Sequence, residues 1–226
     1  MSQTTGVAVI MPDLTHEQRI CEQWNVRHVV GVDEAGRGAI AGPVVAAAVI
    51  LPLDDPDRLA LLAGVNDSKQ LSFARREALY DVICNVALAW GVGQSTAAEI
   101  DKLGILPANA QAMRRALAQL DPAGHFLLID GRERLRGVSL PQETLVRGDS
   151  LSLSVAAASV LAKVTRDRLM VKLAERFPVY GFGRHKGYCT RVHQAALQAH
   201  GPCPEHRQTF APIQGPHPLL PEWADN

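Results

Sequence analysis

Asp33 and Glu34 stand side by side at the end of an apolar run, in HVVGVDEAGRGAIAGPV at residues 28–44. Two carboxylates where a strand should be buried are costly unless something offsets their charge. Two more acids recur in comparable places. Asp130 closes the compact run HFLLIDG, and Asp149, in RGDSLSL, lies at or just before the first turn of a long helical stretch, where the helix macrodipole favours negative charge. If these ends meet, four carboxylates converge, and like charges that close do not all ionise without a counter-charge. Divalent cations answer that need, and oxygen donors without His or Cys select Mg²⁺ or Mn²⁺ over zinc. Taken singly, each acid has a plainer reading: Asp130 before Gly131 as a turn, Asp149 as a cap, Asp33-Glu34 as the start of a loop.

The loop after the first pair carries Gly36, Arg37, Gly38 and Gly42. Glycines there allow close backbone approach to a ligand, and successive exposed N–H groups hold an anion such as a phosphate. A metal and a phosphate would then lie side by side. Charge along the chain fits such a partner: residues 132–191 hold twelve Lys and Arg against five Asp and Glu, a local +7, while residues 1–131 have ten against fifteen, a local −5. Clustered basic charge is commonly a solvated surface; it also suits a phosphate-facing groove.

The elements that must position these groups are legible in outline. Val29 to Val32 and Val44 to Leu51 are β-branched and Ala-rich runs joined by the Gly-rich loop, which predicts two neighbouring antiparallel strands. Ser72 is placed to cap a helix through FARREALYDVICNV, and ALAWGVGQ predicts a third strand. Helices are expected over Ala97 to Leu103 and Ala108 to Leu120, the latter opening after Pro107 and closing at Asp121-Pro122. HFLLIDG and PQETL give further strands, and SLSLSVAAASVLAKVTRDRLMVKLAERF a long helix whose small residues let it press on a sheet. This order predicts an α/β fold, a mixed sheet flanked by helices, with functional groups gathered beyond the strand ends.

With 226 residues, 47% hydrophobic and 20% charged, and a net charge of zero, the composition is that of a globular protein able to build a full core. The longest apolar stretch, Pro43 to Leu51, is far short of the roughly 20 residues of a membrane helix. The N-terminal residues lack the basic start and long apolar core of a signal peptide, so the expected location is the cytoplasm. Cys21, Cys84, Cys189 and Cys203 are scattered without a C-x-x-C, which argues against a disulfide framework. Pairing Cys189 with His193 and Cys203 with His206 would make a zinc site of non-standard spacing; free thiols and surface histidines fit better.

GVDEAGRGAIAGPVVAAAVIL, NDSKQLS, LLIDG, RGDSLSLSVAAASVLAKVTRDRLM, YGFGRHKGY and HGPCPEHRQTFAP, in that order, closely resemble bacterial ribonuclease HII from about Val30 to Pro212. The resemblance implies a ribonuclease H-like fold with a C-terminal helical or irregular extension. It divides the chain into an N-terminal leader (1–27), a catalytic domain (28–212) and a Pro-rich tail (213–226). It also implies a hydrolase that cuts the RNA strand of RNA–DNA hybrids and single ribonucleotides in duplex DNA, working as a monomer. Carried over residue by residue, the four active-site acids are Asp33, Glu34, Asp130 and Asp149, holding a two-metal site of Mn²⁺ or Mg²⁺ with Asp33 expected to bridge the ions. Gly36, Arg37 and Gly38 form the loop that tests the 2′-hydroxyl, and Tyr188 is the junction-sensing tyrosine. Lys69, Arg37 and Lys186 are candidates for phosphate contacts, with Lys163, Arg166 and Arg168 behind them. Ala39-Ile40, Arg147 and Ser150 depart from the usual family residues, and none of these removes a carboxylate.

A rival comes from GDSLS at 148–152 and GVND at 64–67, which match blocks of serine esterases. Block order tells against it, since the D-x-x-H at Asp13 to His16 precedes everything else and leaves Ser150 without a base. A hybrid-binding module without catalysis is the other rival; four acids around a phosphate would cost it affinity.

Overall fold

The computed structural model describes residues 11–213. Its centre is a five-stranded sheet ordered β3-β2-β1-β4-β5, in which the first three strands pair antiparallel and β1, β4 and β5 pair parallel. In chain order the elements are α1 (Thr15–Trp24), β1 (Val29–Ala35), β2 (Val44–Ile50), α2 (Pro56–Ala60), α3 (Phe73–Val86), β3 (Ala89–Ser95), α4 (Ala97–Leu103) and α5 (Ile105–Leu117). They continue with β4 (Phe126–Asp130), β5 (Gln142–Leu145), α6 (Leu153–Arg176), α7 (Phe182–His185) and α8 (Arg191–His200). The mixed α/β architecture expected from the sequence is the one observed, and the antiparallel hairpin and the helix capped by Ser72 Oγ are as read.

Strand alternation divides the core in two. Val30, Val32, Ala46 and Ala48 face α5, with Ala112, Met113 and Ala116 packed on them; Ala47 and Val49 face α3 and α6, against Ala157, Val160 and Leu161. The small residues of α6 do what their sizes suggest. Gly31 sits so close to the start of α6 that a Cβ there would lie 2.2 Å from the Ser154 carbonyl carbon.

Three boundaries differ from the sequence reading. β1 runs on to Ala35, so Asp33 and Glu34 lie inside the strand, opposite Ala47 and Ala46, rather than beyond it. α5 begins at Ile105, because Gly104 at φ 81° supplies the break and Pro107 is tolerated in a first turn whose N–H groups have no helical acceptor. The stretch read as a leader contains α1, which seats Ile20 against Val29, Phe126, Leu128 and Val155. Its Glu17 is buried and accepts from Ser152 Oγ (2.6 Å), Ser154 N (2.9 Å) and Ser154 Oγ (2.6 Å) at the head of α6. The Pro-rich tail lies outside the described residues beyond Ile213.

Candidate active site

Because side chains alternate along a strand, adjacent Asp33 and Glu34 point to opposite faces of the sheet. Asp33 meets Ser159 of α6, and Glu34 meets Asn109 of α5. The pair therefore straddles the end of β1. Parallel pairing aligns Val32 with Ile129, so Asp130 ends β4 immediately beside this pair. Asp149 arrives on a separate one-turn helix, Gly148–Ser150, ahead of α6, whose own cap is Ser152. Asp130 Oδ1 accepts from Gly148 N at 2.7 Å and ties the two segments together. Gly148 is needed for that approach: a Cβ there would stand 3.2–3.3 Å from Val155, Asp130 and Leu145.

The acids feel one another. Burial, then repulsion from Glu34 and Asp130, pushes Asp33 well above the usual carboxylate range, against the opposing Glu34 N–H, which donates to Asp33 Oδ1 at 2.6 Å. Burial also raises Glu34, with Arg37 and Asn109 resisting and Asp130 adding repulsion. Asp149 is raised by burial, partly offset by Lys69, with Asp67 and Asp130 adding to the rise. Two cations stand by: Arg37 Nη1 is 3.0 Å from Glu34 Oε1, and Lys69 Nζ is 3.2 Å from Asp149 Oδ2 and 3.8 Å from Asp67 Oδ1. Both side chains are more than half exposed, so these pairs are weak and exchangeable.

An all-oxygen donor set in which burial raises Asp33, Glu34 and Asp149 suits a hard divalent cation. Among the described residues no three His, Cys, Asp or Glu side chains close up into a ready cage. Asp130 is held by Gly148, Glu34 by Arg37 and Asp149 by Lys69.

The Gly36–Gly38 loop is held from beneath by two fully buried arginines that sequence reading missed or misplaced. Arg207 donates to the carbonyls of Gly36 (2.7 Å), Arg37 (2.9 Å) and Gly42 (3.1 Å). Arg166 donates to Pro43 (2.9 Å) and Ala41 (3.2 Å). Gly36, at φ 88°, leaves room for Arg166, whose Nε would lie 1.8 Å from a Cβ, whereas Gly38 faces open space. Arg166 therefore does not belong to the charged surface face of α6. Arg168 does, paired with Glu77, and Lys163 pairs with Asp167. The only signal for the two buried arginines was their place within the motif blocks.

Gly187 O accepts from Ile40 N (2.9 Å) and Ala41 N (3.2 Å), which locks the loop to the turn carrying Tyr188. Tyr188 is 40% exposed, with the Arg166 guanidinium 5.4 Å from its ring centre. Lys186 folds back so that Nζ donates to the Gly183 carbonyl of its own turn. Beneath lie His193 and His206. They are wholly buried, not the surface histidines expected, because Phe182, Tyr180 and His185 pack around them. Their Nε2 atoms share a hydrogen bond of 3.0 Å, and His193 Nδ1 meets the Tyr188 carbonyl at 2.9 Å. All four cysteines are free thiols.

Residues 30–212 match the sequence model of the family described as Ribonuclease HII. The Ribonuclease HII of Paracidovorax citrulli is 55% identical over 185 residues, 82% of this chain and 75% of that one. That of Chloroflexus aurantiacus is 52% identical over 204 residues, 90% and 95% of the two chains. Among solved structures, the ribonuclease H2 from Pyrococcus horikoshii aligns with a TM-score of 0.71 at 27% identity, covering 83% of this chain and 96% of that one.

Proposed function

From the premise that this chain belongs to the ribonuclease HII family, whose members are endoribonucleases acting on RNA–DNA hybrids, we propose that it also cuts at single ribonucleotides embedded in duplex DNA. The products are a 5′-phosphate and a 3′-hydroxyl. The observation that carries this reading is the gathering of Asp33, Glu34, Asp130 and Asp149 at one end of the parallel β1–β4 pair, beside a braced glycine loop.

The same four carboxylates would hold the Mg²⁺ or Mn²⁺ ions. Bound there, such ions supply an activated water and stabilise the leaving 3′ oxygen. The protein's own groups do the rest. Arg37 and Lys69, weakly paired to Glu34 and Asp149, are free to turn to substrate phosphates once the acids are otherwise neutralised. Backbone groups of Gly36 to Gly38 read the 2′-hydroxyl, the group that separates RNA from DNA. Exposed Tyr188 stacks on the neighbouring deoxyribose, steadied by Arg166 from below. Among the described residues no helix is long and apolar enough to cross a membrane.

Asp33→Asn tests the assignment. The side chain keeps its size and its bond from Glu34 N but loses its charge, so cleavage should vanish while the melting temperature and hybrid binding are largely kept. An Asp33→Asn protein that still cuts would refute it.

A further inference from the structure

Beside the acids, between the start of α5 and the β4–β5 connection, lies a cleft of about 400 Å³. Glu34 and Asp130 line one end, and Arg114, Arg132, Arg134 and Arg136, with Glu133 the one acid among them, line its course. The connection carrying three of these arginines is firmly built. Leu135 is 3% exposed within the α5-side core. Its N–H donates to Gln142 Oε1 at 2.7 Å, and its carbonyl accepts from Gln142 Nε2 at 3.0 Å. Arg114 Nη1 donates to the Arg136 carbonyl at 3.1 Å, tying the connection to α5. With Leu135 anchored, Arg134 and Arg136 on either side are held at exposed positions. Among the described residues, neither they nor Arg132 is ion-paired with a carboxylate.

Unpaired guanidinium forks carried on an anchored connection along a groove match phosphate oxygens, and each such contact releases counterions from a nucleic acid. We propose that this cleft is a phosphate-binding subsite for nucleotides flanking the cut, on the strand being cut. The proposal rests on the ribonuclease H reading, which sets the scissile phosphodiester on the acids. Because Glu34 and Asp130 line both the acid cluster and the cleft, the strand lying on them is the one that enters it. Three of the twelve basic residues counted over residues 132–191 thereby acquire a place, on the short connection after Asp130.

The test is steady-state cleavage of an RNA–DNA hybrid by wild type, by the Arg134→Ala/Arg136→Ala double variant and by Arg115→Ala. Arg115 is the charge control, since it lies on the same helix as Arg114 but pairs with Glu99 at 2.7 Å. The double variant should show KM raised about tenfold and a log–log salt slope shallower by about one to two, with kcat within about twofold; Arg115→Ala should move neither KM nor slope. A neutral methylphosphonate at a flanking position of the cut strand should then penalise wild type but add nothing to the double variant. Unchanged KM and slope in the double variant, or a methylphosphonate penalty equal in both proteins, would overturn the subsite alone. A wild type that cuts no hybrid would overturn the ribonuclease reading and the subsite with it.

Discussion

Replacing Arg207 by Met keeps a long apolar stem and removes the guanidinium that holds the Gly36–Gly38 loop. Three carbonyls, of Gly36, Arg37 and Gly42, lose donors at 2.7, 2.9 and 3.1 Å. A buried acceptor left unpaired costs about 1–3 kcal/mol, so the lost bonds amount to about 3–9 kcal/mol at face value. Opposing this is relief of a buried charge. Burial, with repulsion from Arg166 second, brings the Arg207 guanidinium down from 12.5 to about 9, which corresponds to roughly 5 kcal/mol held against its charged form. The net runs from about 2 kcal/mol stabilising to about 4 kcal/mol destabilising, so the melting temperature should fall by no more than about 16 degrees. Catalysis has no such compensation. A loop displaced by about 1 Å costs on the order of a hundredfold in rate, and the loss should fall on kcat/KM for a duplex with one ribonucleotide. Arg207→Lys should not rescue it, because one ammonium cannot span three carbonyls. Thermal melting by circular dichroism together with single-turnover cleavage measures both effects. A folded Arg207→Met protein with undiminished kcat/KM would refute the brace.

Tyr188→Ala removes an exposed ring from the proposed sugar contact and should lower cleavage at single embedded ribonucleotides by roughly 10- to 100-fold, on the scale of a lost aromatic stack; unchanged activity there would exclude the tyrosine from junction sensing. Burial, joined by repulsion from His185 and His206, takes His193 down to about 4. The unfolded chain therefore binds a proton below about pH 6.5 that the folded chain refuses until near pH 4, and stability falls as pH drops through that window by about 2–3 kcal/mol. Urea midpoints at pH 7.5 and 4.5 should drop more in wild type than in His193→Gln, and equal drops would contradict the buried neutral histidine. Gly31→Ala drives a methyl into the Ser154 backbone and should destabilise by about 1–3 kcal/mol through overpacking, read as a lowered melting temperature; a neutral result would mean that α6 can retreat.

What the sequence disclosed was whatever depends on near neighbours. The β1–β2 hairpin, the Ser72 cap and the acids at the ends of β1 and β4 all follow from local periodicity, turn chemistry and charge. What it withheld depends on partners far along the chain. Nothing local in the stretch read as a leader singles out Glu17, which receives three hydrogen bonds from Ser152 and Ser154, some 135 residues away. Arg166 reads as one more charge on a long helix, and Arg207 as one residue of the last motif block, yet both are buried beneath the loop opening at Gly36. His193 and His206 read as surface groups for the same reason: their shared hydrogen bond brings together α8 and the segment after it, which no periodicity encodes. Even the adjacency of Asp33 and Glu34 misleads by itself, because the strand sends one to α6 and the other to α5.

The central claim is that the four acids and the braced loop together cut a strand at a ribonucleotide. Its most direct test is a DNA duplex with one internal ribonucleotide, end-labelled and incubated with Mg²⁺, Mn²⁺ or EDTA, with the cut mapped to the nucleotide. A single incision at the ribonucleotide is expected, leaving 5′-phosphate and 3′-hydroxyl ends, with either metal and not with EDTA. No incision with either metal, or equal incision in an all-deoxy duplex, would contradict it.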